Sequence, residues 1–351
     1  MKKKILFVYF HDLKAGSGGA RRACQNLRGC MRFGAVDTWQ TGGRTPADTE
    51  GMDIPKGREL LFISAYEAVR IAEIINKYRY DIVFFDTSLY GEAVSIVRER
   101  CPKVRIVVHC HNFEKKYFED MRKNGEAGPD SETAARCEAA SLRASDRIVL
   151  ISREDREAIC REYGLPAESC VVIPPALADG YHPYSRAEKA DPYVLFLGSA
   201  FFANLEAARF LIRKVAPYAD KKIVLAGKGM ECLSDEAGEN TQVIGFVPSP
   251  AELMGGAAAF VSPVFSGSGA KIKIVEALMH GKRLIASEES LFGYDTKRMT
   301  VSVCRTAEDY IRAINGLDTE KTFYPENREL FLTDHELHAV SARYGFLEAL
   351  K

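Results

Sequence analysis

The chain has 351 residues, 46% hydrophobic and 27% charged, and its 48 basic residues balance 48 acidic ones. This length exceeds the size at which a single hydrophobic core usually stops growing, so two domains are expected. A general nucleic-acid binder normally carries a basic excess, which this chain lacks. We therefore expect a globular protein of two domains with no nucleic-acid partner.

Nine cysteines are scattered along the chain without a Cys-x-x-Cys pair, a pattern typical neither of a disulfide framework nor of a zinc site. The amino-terminal MKKKILFVYF has too short an apolar run for a signal peptide and predicts a first β-strand instead. No apolar run approaches the roughly 20 residues that span a bilayer. The expectation is a soluble, cytoplasmic protein.

Short apolar runs alternate with helical patterns in the first half of the chain. The strand KILFVYF (4–10) precedes the helical pattern ARRACQNLRGCMR, and near-continuous apolar runs follow at 81–86, 105–110 and 146–152. Such runs are typical of parallel strands covered by helices on both faces. VVIPPA (171–176) ends this series, because its two prolines interrupt regular structure.

A second series of strands and helices occupies the rest of the chain. Helical patterns such as NLEAARFLIRKVAPYA separate its apolar runs, which lie at 193–199, 222–229, 241–247, 258–265, 282–287 and 300–305. The alternation predicts two doubly wound, Rossmann-like α/β domains, residues 1–176 and 177–334, joined near 175–190 and facing each other across a cleft. Ligands of such sheets bind beyond the carboxyl ends of the strands.

The stretch GSGGARRACQNL (16–27) directly follows the first strand. One interpretation is a dinucleotide-binding fingerprint. Against it, Arg21 stands where the third glycine of Gly-x-Gly-x-x-Gly belongs, and Asp37 falls inside the following strand. A plain strand-to-helix turn is the second interpretation.

Two histidines mark the end of the strand RIVVHC (105–110), where parallel sheets carry catalytic groups. His111 is favoured as the functional residue, because His109 belongs to the strand itself. The His-x-His spacing also raises metal ligation, but no further His or Cys cluster supports it, and we expect no metal site. Asp86, at the end of DIVFFD, fits either an acceptor pocket or the cap of the next helix.

Lys115, Lys116, Tyr117 and Phe118 form a basic and aromatic group after these histidines. The group suits a peripheral contact with a membrane surface or with an acceptor. The solvated start of a helix is the preferred interpretation.

The stretch GSGAKIKIVEALMHGKRLIAS (267–287) places a glycine loop at the carboxyl end of the strand 258–265. It predicts a helix from Ala270 to His280 that stops at Gly281. The spacing predicts a buried stripe of apolar residues on this helix: Ile272, Val275, Leu278 and Met279.

Three charged side chains accompany this loop. The loop N–H groups and the positive end of the helix suit a phosphate, and Lys271 and Lys273 would add charge-assisted contacts. Glu276, one turn further, suits the two hydroxyls of a ribose. This arrangement predicts a nucleotide-diphosphate site; an amphipathic helix with solvated lysines is the alternative.

The stretch resembles the nucleotide-binding signature of family 4 GT-B glycosyltransferases, in the variant with a Gly-x-Gly-x-x-x-Lys-x-x-Glu core. Gly267, Gly269, Lys273 and Glu276 occupy its places, and Lys271 stands where an arginine is common. FLGSAFFANLEAARFL and IGFVPSPAELM resemble other parts of the nucleotide-binding domain. SDRIVLISREDREAI and VVIPPA resemble the end of the first domain, so the resemblance covers most of the chain.

The resemblance implies a retaining, metal-independent enzyme that moves a sugar from a nucleotide-diphosphate donor to a glycan or lipid-linked acceptor of the cell surface. Lys273 would bind the diphosphate, Glu276 the ribose, and His111 the sugar or the acceptor; these are the expected catalytic residues. The resemblance implies the following donor-binding residues: Gly18, Gly19, Gly198, Gly245, Phe246, Val247, Gly267, Ser268, Gly269, Ala270, Lys271, Lys273 and Glu276.

Three further expectations follow from the resemblance. Arg21 or Arg22 would assist Gly18 and Gly19 at the donor phosphates, and Asn204 would cap the helix after Gly198. The last helix, in the segment 335–351, would cross back onto the first domain. No cofactor is expected, since the nucleotide sugar is a substrate.

The chain also departs from the family pattern. Many members carry an arginine and a lysine after the glycine loop of the second domain's first strand, but GSAFFANLEAAR has no cation before Arg209. Lys271 and Lys273, with Lys228, would have to neutralise the diphosphate alone. Two alternatives to transfer therefore stay open: a non-hydrolysing sugar-nucleotide epimerase, and a catalytically silent partner of an active transferase.

Overall fold

The computed structural model describes residues 2–15, 17–42, 53, 57, 59–183 and 192–350. The chain divides into two units. The first contains the residues up to Pro175 together with those from Val340 onward, and the second contains Ala176–Ala339. Each unit is built on one six-stranded sheet. Among the described residues, no helix has the length and apolarity needed to cross a membrane.

The first unit alternates strands and helices. Its strands are β1 (Lys3–Tyr9), β2 (Gly34–Gln40), β3 (Ile82–Phe85), β4 (Arg105–His109), β5 (Arg147–Leu150) and β6 (Cys170–Val172). Its helices in the part up to Pro175 are α1 (Gly18–Phe33), α2 (Ala65–Tyr78), α3 (Glu92–Arg100), α4 (Glu114–Lys123), α5 (Ser131–Arg143) and α6 (Arg153–Tyr163). The strands pair in parallel in the order β2-β1-β3-β4-β5-β6.

The second unit repeats this plan. Its strands are β7 (Tyr193–Leu197), β8 (Lys222–Ala226), β9 (Thr241–Ile244), β10 (Ala259–Ser262), β11 (Leu284–Ala286) and β12 (Val301–Val303). Its helices are α7 (Phe202–Phe210), α8 (Ala251–Gly256), α9 (Ile272–Met279), α10 (Ala307–Asn315) and α11 (Pro325–Leu330). The order is β12-β11-β10-β7-β8-β9, again with parallel pairing.

The central strands are buried on both faces, as their apolar runs predict. All four residues of β3 and the residues Val194, Leu195 and Phe196 of β7 are 0% exposed. Burying a side chain of this size contributes about 1.5–3 kcal/mol, so these strands anchor the two cores. The predicted fold class, two doubly wound parallel α/β sheets, is confirmed.

The end of the chain is more broken than the single predicted helix. It forms α12 (Leu337–Ser341), a 3₁₀ turn (Ala342–Gly345) and α13 (Phe346–Ala349). Tyr344 of the turn is 0% exposed and packs on α1, where a Cβ added to Gly29 would lie 2.5 Å from its ring. Gly29 therefore makes room for Tyr344 in the first unit.

Two helix starts differ from expectation. Ser17 caps α1 by accepting a hydrogen bond from the Ala20 N–H, so Gly18 and Gly19 lie in the first helical turn rather than in a loop. Gly16, the first glycine of the GSGG motif, lies outside the described residues. α7 begins at Phe202 with Phe201 as its N-cap, so the expectation that Asn204 caps this helix is wrong.

The order of strands reverses beside the first strand of each unit. β1 lies between β2 and β3, and β7 lies between β10 and β8. Open parallel sheets bind ligands beyond the carboxyl ends of their strands at such a reversal. In the first unit His11 and Asp86 follow β1 and β3 there, and in the second unit Gly198 and the glycine loop follow β7 and β10.

Candidate functional site

The glycine loop of the second unit turns the chain from β10 into α9. Gly267 has φ +100° and Gly269 has φ +73°, a backbone conformation that side chains rarely allow. Ser268, between them, has a buried hydroxyl without a hydrogen-bond partner among the described residues. The loop therefore needs its glycines for its shape, and it ends with Ala270 and Lys271 before α9.

Helix α9 is shorter than predicted. It begins at Ile272, with Lys271 as its N-cap, and its last helical residue is Met279. Its buried residues are Ile274, Val275, Ala277 and Leu278, whereas Ile272 and Met279 are half-buried. The predicted stripe is therefore buried at Val275 and Leu278 and only half-buried at Ile272 and Met279, which are the first and last residues of the helix. Gly281 follows the helix with φ +60°, as predicted.

Lys273 is the central cation of this site. Its Nζ donates to Oδ1 of Asn204 at 2.6 Å and lies 4.5 Å from the centre of the Phe196 ring. Burial, and then repulsion from Lys271, lower its pKa to about 7, against an attraction from Glu276. The lysine is thus held by a neutral amide and an aromatic face. An arriving anion would stabilise its charged form.

Lys271 is engaged differently. Its Nζ lies 2.7 Å from Oε1 of Glu289 and 2.9 Å from the carbonyl oxygen of Gly269. The side chains of this ion pair are 13% and 23% exposed. In this state Lys271 holds the loop and is neutralised by Glu289. Lys271 therefore has a charged partner in this state, whereas the partner of Lys273 is neutral.

The remaining donor-site candidates of the second unit lie on α9 or directly after the carboxyl ends of β7 and β9. Glu276 is half-buried on α9, one turn after Lys273. Gly198 touches Asn204, since a Cβ added to this glycine would lie 2.8 Å from Cγ of Asn204. Gly245, Phe246 and Val247 follow β9, and the Phe246 ring is 69% exposed.

The other two cations considered in the sequence differ in their surroundings. Arg209 pairs with Glu236 at 3.0 Å. Lys228 is exposed after β8, and its main-chain oxygen accepts a hydrogen bond from the Ala200 N–H in the loop that follows β7.

The first unit gathers polar groups where β1, β3 and β4 end. Asp86 and His109 are 0% exposed, and the His111 side chain is 11% exposed. Nε2 of His111 lies 2.7 Å from the main-chain oxygen of Asp86 and 3.3 Å from its Oδ2. His11 adds a third ring, 5.0 Å from that of His111. His109 closes β4, as predicted.

Asp86 does not cap the next helix, so that one of its two alternatives is wrong, and its place in an acceptor pocket stays a prediction. The cap of the following 3₁₀ turn is Thr87, whose Oγ1 accepts a hydrogen bond from the Leu89 N–H. The Asp86 carboxylate instead accepts from Nδ2 of Asn26 at 2.6 Å. It is a fully buried group beside the histidines.

Arg22 is buried inside the first unit, so the expectation that it assists phosphates is wrong, and the same expectation for Arg21 stays a prediction. Arg22 is 4% exposed, and its guanidinium donates to Nε2 of His109 at 3.0 Å and to the carbonyl oxygens of Ile173 and Pro174. Its charge is used inside the first unit. Position 19 requires a glycine for a local reason, since a Cβ there would lie 2.4 Å from the His11 ring.

Asp86, His109 and His111 form a group close enough to hold a metal, with ligand atoms within 4.8 Å of one another. The hydrogen bonding of His109 disfavours this. Because Arg22 donates to Nε2, the proton of the neutral His109 ring lies on Nδ1, the nitrogen that faces Asp86. Metal ligation there would require the loss of that proton.

The basic and aromatic residues at the start of α4 contact other residues of the first unit. Lys115 pairs with Glu162 at 2.7 Å, Lys116 pairs with Asp120 at 2.7 Å, and Phe118 is 6% exposed. Its two lysines and both of its aromatic rings therefore have partners within the first unit.

The sequence analysis did not predict which residues hold the charged groups of the two units. Glu289 and Asn204 hold the two lysines, and Asn26 and Tyr344 connect to Asp86. Tyr344 and Asn26 are 318 positions apart, so no local pattern could associate them.

Comparison with known proteins identifies the two units. Residues 40–178 match the model of Glycosyltransferase Family 4, and residues 191–317 match that of Glycosyl transferases group 1, which together cover well over half of the chain. No curated protein sequence is significantly similar to the chain.

Solved structures share the fold over the full length. A glycosyltransferase from Rickettsia africae ESF-5 has 16% identity and a TM-score of 0.65, covering 100% of this chain and 98% of that one. HepE from Anabaena, determined with UDP and glucose, has 13% identity and a TM-score of 0.68, with 99% of both chains covered. WaaB, a lipopolysaccharide outer core galactosyltransferase, has 11% identity and a TM-score of 0.64, with 97% of this chain and 98% of that chain covered. Given the two family domains in this order and the two doubly wound sheets, the chain belongs to the GT-B glycosyltransferases of family 4.

Proposed function

We propose that this glycosyltransferase moves a sugar from a nucleotide diphosphate to a hydroxyl group of a glycan or lipid-linked acceptor, with retention and without a metal. The observation that carries the proposal is Lys273, a half-buried lysine bonded to a neutral amide beside a glycine loop at the reversal of the strand order. A partly desolvated ammonium in this setting gains most from an anionic ligand. The diphosphate of the donor supplies that anion.

The proposed chemistry follows from where charge develops. As the glycosidic bond breaks, negative charge builds on the leaving diphosphate and positive charge on the sugar ring. Lys273 and the N–H groups of the glycine loop stabilise the diphosphate, which replaces the role of a metal ion. Glu276 holds the ribose hydroxyls, and His111 of the first unit contacts the sugar or the acceptor. Retention and the cell-surface acceptor rest on the family resemblance.

The donor base is narrowed by the related structures. HepE was determined with UDP-glucose as well as with UDP. We therefore expect a uridine nucleotide here, contacted by the backbone of Gly245–Phe246–Val247 and by the exposed Phe246 ring. The proposal places the reaction in the cytoplasm.

The test is donor turnover across UDP-, GDP- and dTDP-sugars, comparing wild type with Lys273→Ala and Glu276→Ala. We expect Lys273→Ala to lower kcat/KM by about a hundredfold or more, because one preorganised donor to the developing charge is lost. Lys222→Ala, which removes an exposed lysine from the opposite edge of the same sheet, is the matched control. Unchanged binding and turnover in both site variants would show that the site lies elsewhere.

One observation favours a second function, that of a silent nucleotide-sugar-binding partner of an active transferase. The family's usual pair of cations is missing from GSAFFANLEAAR, and Lys271 and Arg209 are neutralised by Glu289 and Glu236. Calorimetric binding of a UDP-sugar without hydrolysis or transfer to any acceptor would support this function over transfer.

A further inference from the structure

A chain of buried hydrogen bonds leads from the end of the protein to His111. The Tyr344 hydroxyl donates to Oδ1 of Asn26, and Nδ2 of Asn26 donates to Oδ1 of Asp86 at 2.6 Å. His111 Nε2 then contacts the main-chain oxygen of Asp86 at 2.7 Å and Oδ2 at 3.3 Å. Tyr344, Asn26 and Asp86 are each 0% exposed. Such a chain is fixed in its geometry, because each member would leave a buried polar atom unpaired if it moved.

The direction of each hydrogen bond sets the tautomer of the neutral His111 ring. A carbonyl oxygen carries no proton, so Nε2 of His111 must be the donor to Asp86. The neutral ring then keeps its lone pair on Nδ1. Likewise, Asn26 presents its NH₂ to the carboxylate and its oxygen to Tyr344, which is the orientation that satisfies both partners.

We propose that Asp86, through its main-chain oxygen and its carboxylate, is the positioning residue that fixes His111 as the Nε2–H tautomer. Nδ1 is thereby kept as a hydrogen-bond acceptor for a hydroxyl group of the sugar or of the acceptor. Asn26 and Tyr344 hold Asp86 in place. This inference rests on the proposed function only for the identity of the hydroxyl; the tautomer is a property of the protein itself.

The return of the chain to the first unit supports the site, because it brings Tyr344 to Asn26. Tyr344 follows Val340, the residue at which the chain rejoins that unit, and it meets the same helix that carries Asn26. Asn26 and Arg22 stand four residues apart on α1 and hold Asp86 and His109, respectively. One helix therefore supports the ends of β3 and β4, where the candidate catalytic groups lie.

The first test reads the tautomer directly and needs no turnover. In protein labelled with ¹⁵N-histidine, we expect the His111 signals, identified by their loss in His111→Asn, to show a proton on Nε2 and none on Nδ1 at neutral pH. In Asp86→Asn the new side chain keeps its oxygen toward the Asn26 NH₂ and turns its own NH₂ toward Nε2, so the His111 signals should shift toward a mixture of tautomers. Tyr344→Phe leaves the main-chain oxygen of residue 86 in place and should shift them in the same direction by less. A proton on Nδ1 in the wild type would overturn the proposal, whether or not the protein transfers sugar.

The second test is kinetic. Tyr344→Phe removes a single hydroxyl and should lower kcat about tenfold, the effect of one misplaced hydrogen-bonding group, while KM for the donor stays unchanged. In a His111→Asn background the same substitution should cost nothing further, because its effect passes through the histidine. An equal loss in both backgrounds would mean a merely structural role and overturn the proposal. Tyr310→Phe, a buried tyrosine of the second unit, is the matched control.

Gly29→Ala gives an independent variant. The added methyl would lie 2.5 Å from the Tyr344 ring and displaces it without touching its hydroxyl chemistry. It should reproduce the tautomer shift of Tyr344→Phe. A displaced Tyr344 with unchanged His111 signals counts against the proposal.

Discussion

Lys273 Nζ donates a 2.6 Å hydrogen bond to Oδ1 of Asn204 and thereby ties α9 to the first turn of α7. The pair is unusual because the lysine is half-buried and its partner is neutral. An amide can hold an ammonium in place without cancelling its charge, whereas a carboxylate would cancel it. The pairing therefore leaves Lys273 in place for an anionic ligand.

The first prediction concerns pH. Because the pKa of Lys273 is lowered to about 7, the residue loses its proton as the pH rises through 7 in the ligand-free protein. A bound diphosphate favours the charged form, so donor affinity should fall above pH 7 and binding should take up a proton. Calorimetry of a UDP-sugar at pH 8, in buffers of different ionisation enthalpy, measures this uptake. Lys273→Met should abolish it, and no uptake by the wild type would contradict the assignment.

The second prediction uses the contact between Gly198 and Asn204. A methyl group on Gly198 would lie 2.8 Å from Cγ of Asn204, so Gly198→Ala should push the amide away from Lys273. Loss of a hydrogen bond to a charged group should raise the donor Kd roughly tenfold. Gly238→Ala is the control, since a Cβ there meets nothing within 4 Å. Equal affinity in the two variants would show that Asn204 does not position Lys273.

The sequence predicted what repeats locally. The apolar runs gave the strands, and the glycine loop with Lys273 and Glu276 pointed to the second unit's site, because backbone conformation and helix spacing are written in neighbouring residues. His111 was separated from His109 by the end of the strand, which the structure confirms at β4.

Partners from distant parts of the chain could not be predicted in this way. Glu289 lies 18 positions from Lys271, and Asn204 lies 69 positions from Lys273, so only the folded sheet brings them together. Arg22 shows that a local pattern can also predict a contact that folding does not form. Its place after a glycine pair favoured a phosphate contact, but folding buries it against His109 and the exit of the first unit.

The third prediction concerns two buried carboxylates near the His111 loop. Glu138 accepts hydrogen bonds from the hydroxyls of Tyr163 and Ser88 and from the Glu114 N–H, and burial raises its pKa from 4.5 to about 7. Burial likewise raises the pKa of Glu114. The folded state then binds more protons than the unfolded chain between pH 4.5 and 7, so stability should fall as the pH rises through this range. In urea unfolding, the free energy of unfolding of Glu138→Gln should depend less on pH than that of the wild type. Glu132→Gln, on the exposed side of α5, should match the wild type. A wild-type stability that rises with pH over this range would contradict the prediction.

The fourth prediction addresses the ion pair that occupies Lys271. Glu289 lies 2.7 Å from its Nζ, and with side chains 13% and 23% exposed the pair is only partly screened by water. A bound diphosphate must compete with Glu289 for this lysine, so Glu289→Gln should free a cation and tighten UDP-sugar binding by about threefold to tenfold. Glu288→Gln, which removes the neighbouring carboxylate that pairs with Arg305 at the surface, should leave the Kd unchanged. The Kd of both variants by calorimetry decides between two roles for Glu289. Tighter binding identifies it as a competitor of the donor, and weaker binding would mean that it holds Lys271 in the position from which the lysine contacts the phosphates.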